Sequence, residues 1–579
     1  MKRISKFKVI MASLLLALMF ILACQDDFLE VAPTGQLANE QLKSKNGIEG
    51  LLIGSYAMLR GRGGFYDGSS NWVGGSILGG EANKGTDAGD QAVINPIQRF
   101  ETLTTSGGPV TDKWAVDYEG ISRANAVLRL LADAGPDVTD ADKRRISAEA
   151  RFLRGHYYFD LKKIYNNVPF VDETVDYGSG IDKVTNTVDI WPKIEADFEY
   201  AFNNLPETQS AVGRANKWAA GAYLAKTYLY QKKYAQAKSL FDQVIANGQT
   251  SGGKKYGLVP NYANIFNPAN DNHEETVFAV QNSVNTGTIN NANAEHVLNF
   301  PYNGGPAGCC GFFQPSFELV NSFRTNANGL PLVDGSYNAA ANAVKNDQGI
   351  LTSEAFTPDA GNLDPRLDHS AGRRGIPYLD WGPHPGFDWI RDQSYAGPYA
   401  PKKYVFSKAQ QDAYTDGSSW TRGYTAINYI IIRYADVLLM AAEAEVEAGS
   451  LEKAREYVNL VRARAANPAT WVKNSSGANA ANYVIGLYNT PWTDKAAANA
   501  AIRFERKLEL SGEGHRFYDL VRWGIAAQVI NAYLAHDGAK LPVALGGATF
   551  TANKHEYFPI PQLQIDLQGT DVLKQNPGY

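Results

Sequence analysis

The hydrophobic positions of two distant segments repeat with the period of an amphipathic helix, and each segment holds two such helices. In "GAYLAKTYLYQKKYAQAKSLFDQVI", which starts at Gly221, apolar residues recur three and four positions apart, pause at "KKY" and resume. The segment "YADVLLMAAEAEVEAGSLEKAREYVNLV", which starts at Tyr434, repeats this arrangement. Small residues on facing helices allow close approach, so each segment predicts a helical hairpin. The facing residues are Gly221, Leu224, Ala225 and Tyr228 with Ala237, Phe241 and Val244, and Leu438, Ala441 and Ala442 with Ala454, Val458 and Val461.

Two further helix pairs follow if long connections separate the partners. "AEARFLRGHYYFDLKKIY" (148–165) precedes "IWPKIEADFEYAFNNL" (190–205), and "GIEGLLIGSYAML" (47–59) matches "GISRANAVLRLLADA" (120–134). The spacing is that of tetratricopeptide helix pairs, and each pair can bury its apolar face only against its neighbours. The prediction is a mainly α fold, a tetratricopeptide-like helical solenoid of about four helix pairs that serves as a scaffold.

Two stretches of different composition interrupt this pattern. Residues 61–112 are dense in Gly, Asn and Asp, and residues 250–428 collect aromatic residues among Gly, Pro and Asn without a long helical period. Loops held by a rigid scaffold are a common place for binding. The predicted organisation is an N-terminal region 41–250, a loop-rich insertion 251–424 and a C-terminal region 425–579.

The first 23 residues have the pattern of a secretion signal, with a basic start, about 15 apolar residues and a small residue at the end. The apolar run is shorter than the about 20 residues that a membrane-spanning helix needs. Ile21 to Cys24 resembles the lipobox of bacterial lipoproteins, in which a peptidase cuts before a cysteine that carries a diacylglycerol. We therefore expect residues 1–23 to be removed, Cys24 to be lipidated and residues 24–40 to form a tether.

Composition narrows the possible partners. The chain is 44% hydrophobic and 20% charged, as in globular proteins, and its formal charge of -5 leaves no basic field for nucleic acid. Beyond Cys24 the only cysteines are the neighbours Cys309 and Cys310. In an oxidising compartment this pair is either two thiols or a disulfide between adjacent residues.

The best candidate for catalysis is the segment "FERKLELSGEGHRFYDLVRWG", which places several acids beside His515. Basic residues of the same segment can pair with these acids, so a structural charge network is favoured. No HExxH, GxSxG, P-loop or calcium-loop spacing occurs, and we expect no catalytic residue, metal or cofactor. Two carboxylates for glycoside hydrolysis that are distant in sequence but adjacent in the fold would not be detected by these motif spacings. The acids are Glu505, Glu509, Glu513 and Asp519, and their expected partners are Arg503, Arg506, Lys507, Arg516 and Arg522.

Five segments in order resemble the SusD/RagB family, surface lipoproteins that partner a TonB-dependent outer-membrane transporter in Gram-negative bacteria. The resemblance implies a tetratricopeptide scaffold, a glycan-binding face built from inserted loops, and surface exposure on the cell outer membrane through lipid at Cys24. It also implies a SusC-like transporter as partner and an export signal at Asp26 and Asp27. The segments are "CQDDFLEVAPTGQ", "AEARFLRGHYYFDLKKIYNNVPFV", "IIRYADVLLMAAEAEVEAGSLEKAREYVNLVRARA", "FERKLELSGEGHRFYDLVRWG" and "YFPIPQLQIDLQGTDVLKQNPGY".

The expected function is non-enzymatic capture of an oligosaccharide or polysaccharide for delivery to the transporter; the alternative is capture of peptides by the same architecture. A sugar ring packs its C–H face on an aromatic ring, and its hydroxyls need polar side chains at the edge. Both insertions supply that mixture, although packing onto the scaffold is the alternative for each aromatic residue. The candidate ligand-binding residues are Tyr66, Asn71, Trp72, Asn83, Asp87, Tyr302, Phe312, Trp381 and Trp389.

Overall fold

Helices form the scaffold of the computed structural model, which describes residues 39–579. The predicted signal peptide, Cys24, Asp26 and Asp27 lie outside the described residues. The longer helices are α1 Lys45–Ala57, α2 Pro109–Ala132, α3 Asp140–Tyr165, α4 Trp191–Asn204, α5 Lys217–Tyr230, α6 Tyr234–Asn247, α7 Tyr434–Ala448, α8 Leu451–Ala465, α9 Lys495–Glu509, α10 Arg516–Arg522, α11 Ala526–Gly538 and α12 Gln562–Gln568. Shorter helices are Asn39–Lys43, Asn95–Gln98, Phe317–Ser322, Leu367–Ser370, Gln393–Ala396, Gln411–Tyr414 and Pro542–Leu545.

In each of the four predicted pairs the two helices pack against each other, which confirms the solenoid. The pairs are α1 with α2, α3 with α4, α5 with α6 and α7 with α8. Close approach depends on small residues: a Cβ added at Gly221 would lie 3.0 Å from the Phe202 ring, and one at Gly155 would lie 3.0 Å from Phe198. Helix α3 begins earlier than the apolar pattern indicates. Its N-terminus is fixed by a capping box, in which the side chain of Thr139 accepts from the backbone N–H of Asp142.

Three small antiparallel sheets organise the inserted segments. They are short, two to five residues a strand, and a strand of that length leaves little periodic signal in a sequence. Strand Tyr429–Arg433 leads directly into α7 and so joins the large insertion to the solenoid. The pairs are β1 Ala82–Gly85 with β3 Phe312–Pro315, β2 Thr276–Val280 with β6 Tyr429–Arg433, and β4 Ala371–Gly372 with β5 Ala400–Pro401.

The acids of α9 and the turn after it lie in a buried charge network, but most of their partners differ from those predicted. Glu509 binds the guanidinium groups of Arg366 (3.0 Å), Arg433 (2.6 Å) and Arg464, all contributed by other parts of the chain. Burial alone would raise the pKa of Glu509, but these three cations hold it well below its usual range. Of the predicted pairs, those of Asp519 with Arg506 (2.9 Å) and with Arg522 (2.8 Å) form. Glu505 binds Arg366 and Arg462, and Glu513 binds Arg433 and Lys403.

Candidate ligand-binding face

The two insertions meet at the β1–β3 ladder. Asn83 is opposite Gln314 and Gly85 is opposite Phe312, and the backbone N–H of Thr86 donates to the carbonyl of Gly311 at 2.5 Å. Gly85 has a φ of +85°, and a Cβ there would lie 2.4 Å from the Gly311 carbonyl oxygen, so only glycine allows this approach. The ladder therefore brings the start of loop 86–90 beside the loop that carries the cysteines.

Arg391 ties these loops together. Its guanidinium group binds the carboxylates of Asp87 (2.8 Å) and Asp90 (2.7 Å) and donates to the hydroxyl of Thr86 at 3.0 Å. The same group lies 5.4 Å from the centre of the Tyr302 ring, a cation–π distance. Three separate segments are thus joined through one side chain.

Loop 86–90 is also fixed from below by a buried lysine. The ammonium group of Lys84 donates to the backbone carbonyls of Asp87 at 2.6 Å and Asp90 at 2.5 Å, and burial lowers its pKa to about 8. The Asp87 carboxylate accepts from the backbone N–H of Gly89 at 2.8 Å and of Asp90 at 2.9 Å. Burial acts to raise the pKa of Asp87, but these N–H donors and Arg391 bring it below its usual value, so Asp87 is charged at neutral pH.

Cys309 and Cys310 are joined by a disulfide, which decides between the two alternatives left by the sequence. The loop that contains them is held at both ends: the N–H of Tyr302 donates to the carbonyl of Trp389 at 2.9 Å, and the N–H of Gly311 donates to Phe300 at 2.8 Å. Cys309 is half-buried. The loop 302–311, which begins at Tyr302, therefore has a fixed position.

An exposed tryptophan stands at the edge of this loop. The Trp420 side chain is 60% exposed, and the hydroxyl of its neighbour Thr421 donates to the carbonyl of Ala307 at 3.1 Å. The Trp420 ring meets Tyr424 edge-on at 6.4 Å. We use the term loop face for the four segments 84–90, 302–311, 386–392 and 412–424.

Four candidate residues are buried, which favours for each of them the alternative of packing within the protein over contact with a ligand. Trp72 is 1% exposed, its indole N–H donates to the carbonyl of Phe65 at 2.7 Å, and its ring meets Phe313 at 5.6 Å. The glycines that follow it let the C-terminal segment approach, because a Cβ at Gly75 would lie 1.9 Å from the carbonyl oxygen of Gly514.

The other three buried candidates shape the loop face from inside. Asn83 donates to the carbonyl of Ala396 at 2.9 Å, and Phe312 is fully buried beneath the ladder. Trp389 packs edge-on against His384 at 5.1 Å and Tyr378 at 5.6 Å. Each satisfies its contacts within the protein and leaves almost no surface for a sugar ring.

The remaining candidates are partly exposed. Asp87 and Tyr302 meet at Arg391 and belong to the loop face. Asn71 donates to Asp160 at 3.3 Å, and the Trp381 indole N–H donates to the carbonyl of Phe406 at 3.1 Å. Tyr66, Asn71 and Trp381 lie outside the loop face, and their contact with a ligand stays a prediction.

Two adjoining cavities of about 340 and 370 Å³ open elsewhere, bordered by Gly213, Arg214 and Gln281. Arg214 is already bound to Glu49 (2.8 Å) and Glu149 (3.2 Å). No residue of the loop face lines either cavity. The rings that line these cavities, Tyr56 and Phe278, are half-buried and buried, whereas Trp420 of the loop face is largely exposed, so the loop face is the stronger candidate for a sugar platform.

Family models cover both parts of the chain. One described as "SusD family" matches residues 274–579, more than half of the sequence, and one described as "Starch-binding associating with outer membrane" matches residues 27–229. The chain belongs to the SusD family. The resemblance drawn from five sequence segments is therefore confirmed.

Relatives in the SusD family match along most of their length. SusD-like protein P2 of Formosa agariphila is 26% identical over 99% of this chain and 100% of its own, and the starch-binding protein SusD of Bacteroides thetaiotaomicron is 24% identical over 83% and 81%. A solved laminarin-binding SusD-like protein superposes with a TM-score of 0.67 at 24% identity, covering 93% of this chain and all of its own. The structural likeness shows the fold.

Within residues 39–579, none of the helices is both long and apolar enough to cross a bilayer. In the same residues no group of three or more His, Cys, Asp or Glu side chains is placed to hold a metal ion. In the loop face the carboxylates of Asp87 and Asp90 bind Arg391, and that of Asp87 also accepts from backbone N–H groups, an arrangement that positions loops.

Proposed function

We propose that this SusD-family protein captures a glycan at the loop face and hands it to a TonB-dependent SusC-like transporter, held at the cell surface by lipid on Cys24. The observation that carries the proposal is the exposed ring of Trp420 beside a loop whose Tyr302 is stacked on Arg391. The C–H faces of sugars pack on aromatic rings, and carboxylates at the edge of a ring accept hydrogen bonds from the sugar hydroxyls. The proposal assigns no catalytic residue.

The family relationship supports the choice of ligand class. The matched family model, the Bacteroides thetaiotaomicron relative and the solved structure carry descriptions that name starch or laminarin. Peptide capture is the alternative that the resemblance leaves open, and it predicts binding to peptides in place of oligosaccharides.

The test is a glycan array and a peptide library probed with the Cys24→Ala form, which cannot be acylated, followed by calorimetry on the best ligand. Stacking on one ring is worth about 1 to 3 kcal/mol, by analogy with bases on aromatic platforms, so Trp420→Ala should weaken glycan binding about 5- to 150-fold. The melting temperature should not change, because the Trp420 ring is largely in solvent.

Leu460→Ala is the matched control, since Leu460 is 51% exposed on α8 and belongs to no loop-face segment. It should change neither affinity nor melting temperature. Equal glycan affinity in wild type and Trp420→Ala would contradict the loop face as the site, and binding to peptides alone would contradict the ligand class.

A further inference from the structure

The charges of the loop face are unbalanced. Its four segments contain three cations, Lys84, Arg391 and Arg422, and six aspartates, a formal charge of −3. A ligand that carries its own negative charge would meet this excess at short range. The aspartates are Asp87, Asp90, Asp388, Asp392, Asp412 and Asp416.

Each of the three cations already has partners within the protein. Arg391 binds Asp87 and Asp90, and Arg422 lies 3.7 Å from the carboxylate of Asp412. Lys84 is buried, and its ammonium group donates to two backbone carbonyls. A carboxylate or sulfate on a ligand would have to displace Asp87 or Asp90 before it could pair with Arg391, and at Arg422 it would compete with the nearby carboxylate of Asp412.

Neutral sugars face no such competition. An ionised carboxylate accepts about four hydrogen bonds, and Asp87 and Asp90 use only some of theirs on Arg391 and the loop backbone. Hydroxyl groups can donate to the remaining positions without breaking an ion pair. We infer that the loop face is specific for uncharged glycans and discriminates against uronic-acid and sulfated ones. This inference rests on the proposed function and adds the ligand class to it.

The test uses probes in which a hydroxymethyl group is replaced by a carboxylate, and the salt dependence of binding isolates the effect of the charge. Laminarihexaose, maltohexaose and cellohexaose are each compared by calorimetry with the same oligosaccharide oxidised at C6 to the uronate, at low and at physiological salt. We expect the neutral form of the bound sugar to bind at least about fivefold more tightly at low salt, and the ratio to narrow as salt rises.

One variant tests the origin of the discrimination. Asp412→Asn removes the acid paired with Arg422 and should narrow the ratio of neutral to oxidised affinity. Glu456→Gln on α8 also removes one exposed negative charge but lies outside the loop face, so it should leave the ratio unchanged.

The outcomes separate the inference from the proposed function. If an oxidised form binds as well as or better than its neutral partner, and Trp420→Ala weakens that binding, the inference is overturned and the proposed function stands. If no glycan on the array binds, the proposed function fails and the inference fails with it.

Discussion

At the scale of single residues, the loop face depends on the many partners of Arg391. One guanidinium group holds two carboxylates, a hydroxyl and an aromatic ring from segments that are distant in sequence. The planar fork of arginine can do this, and a lysine at the same position would provide only a point charge. The orientation of Tyr302 therefore follows from electrostatics as much as from packing.

Trp72 illustrates the opposite role for an aromatic residue. Its ring is buried against Phe313 and its N–H is satisfied by Phe65, so it pins the first insertion onto the core. Trp72→Ala should cost about 3 to 5 kcal/mol of folding free energy, through lost burial and the cavity left behind. Thermal denaturation measures this directly. An unchanged melting temperature would show that the ring is not a core residue.

The difference between Trp72 and Trp420 shows where reasoning from sequence ends at this scale. Both lie in segments rich in Gly, Ser and polar residues, so local composition does not distinguish them. The ring that covers Trp72 is that of Phe313 on β3, in the other insertion, and no local sequence pattern indicates this contact. Arg391 was missed for the same reason, because its hydrogen-bonding partner Asp90 is 301 positions away.

At the scale of elements, the helices of the four pairs could be predicted, whereas the strands and the short helices of the insertions could not. A helix such as α5 repeats its apolar pattern over 14 residues, whereas β1 has four residues, all of them buried. The pairing of β1 with β3 depends on a contact between two insertions. The sequence thus predicts the scaffold, while the loop face depends on tertiary contacts.

Buried ion pairs on one side of helix α9 stabilise its position in the fold. Glu509 binds three arginines from outside the helix, and removing one partner of a buried ion pair typically costs 3 to 5 kcal/mol, since the others lose their countercharge. Glu509→Gln should therefore be strongly destabilised at neutral pH. Chemical denaturation at pH 7 checks this, with Glu456→Gln, an exposed acid on α8, expected within about 0.5 kcal/mol of wild type.

The difference in folding stability between wild type and Glu509→Gln should depend on pH with a definite sign. The folded-state pKa of Glu509 is depressed, so its stabilisation is complete above the unfolded value of about 4.3 and is lost as pH falls below it. The stability gap between wild type and Glu509→Gln should then shrink as the pH is lowered from 5 towards 3. A gap that stays constant over this range would show that Glu509 does not act through its charge.

At the scale of the whole molecule, the proposed binding face and the proposed lipid anchor occupy separate parts of the chain. The lipidation site proposed at Cys24 precedes the first described helix by 15 residues, which span at most roughly 50 Å when extended. Acylation at Cys24, as proposed, would therefore hold the start of the described chain within that distance of the outer membrane.

Two sets of substitutions separate attachment from surface exposure. Cys24→Ala should leave the melting temperature unchanged and release the protein from the outer-membrane fraction, because a single residue holds the lipid. Asp26→Ala combined with Asp27→Ala should keep the protein in that fraction but leave it facing the periplasm, if these acids form the export signal. Fractionation after a high-salt wash and protease treatment of whole cells read out the two properties independently. Membrane retention of Cys24→Ala would count against lipidation, and equal cleavage of the double variant and wild type on intact cells would count against the acidic signal.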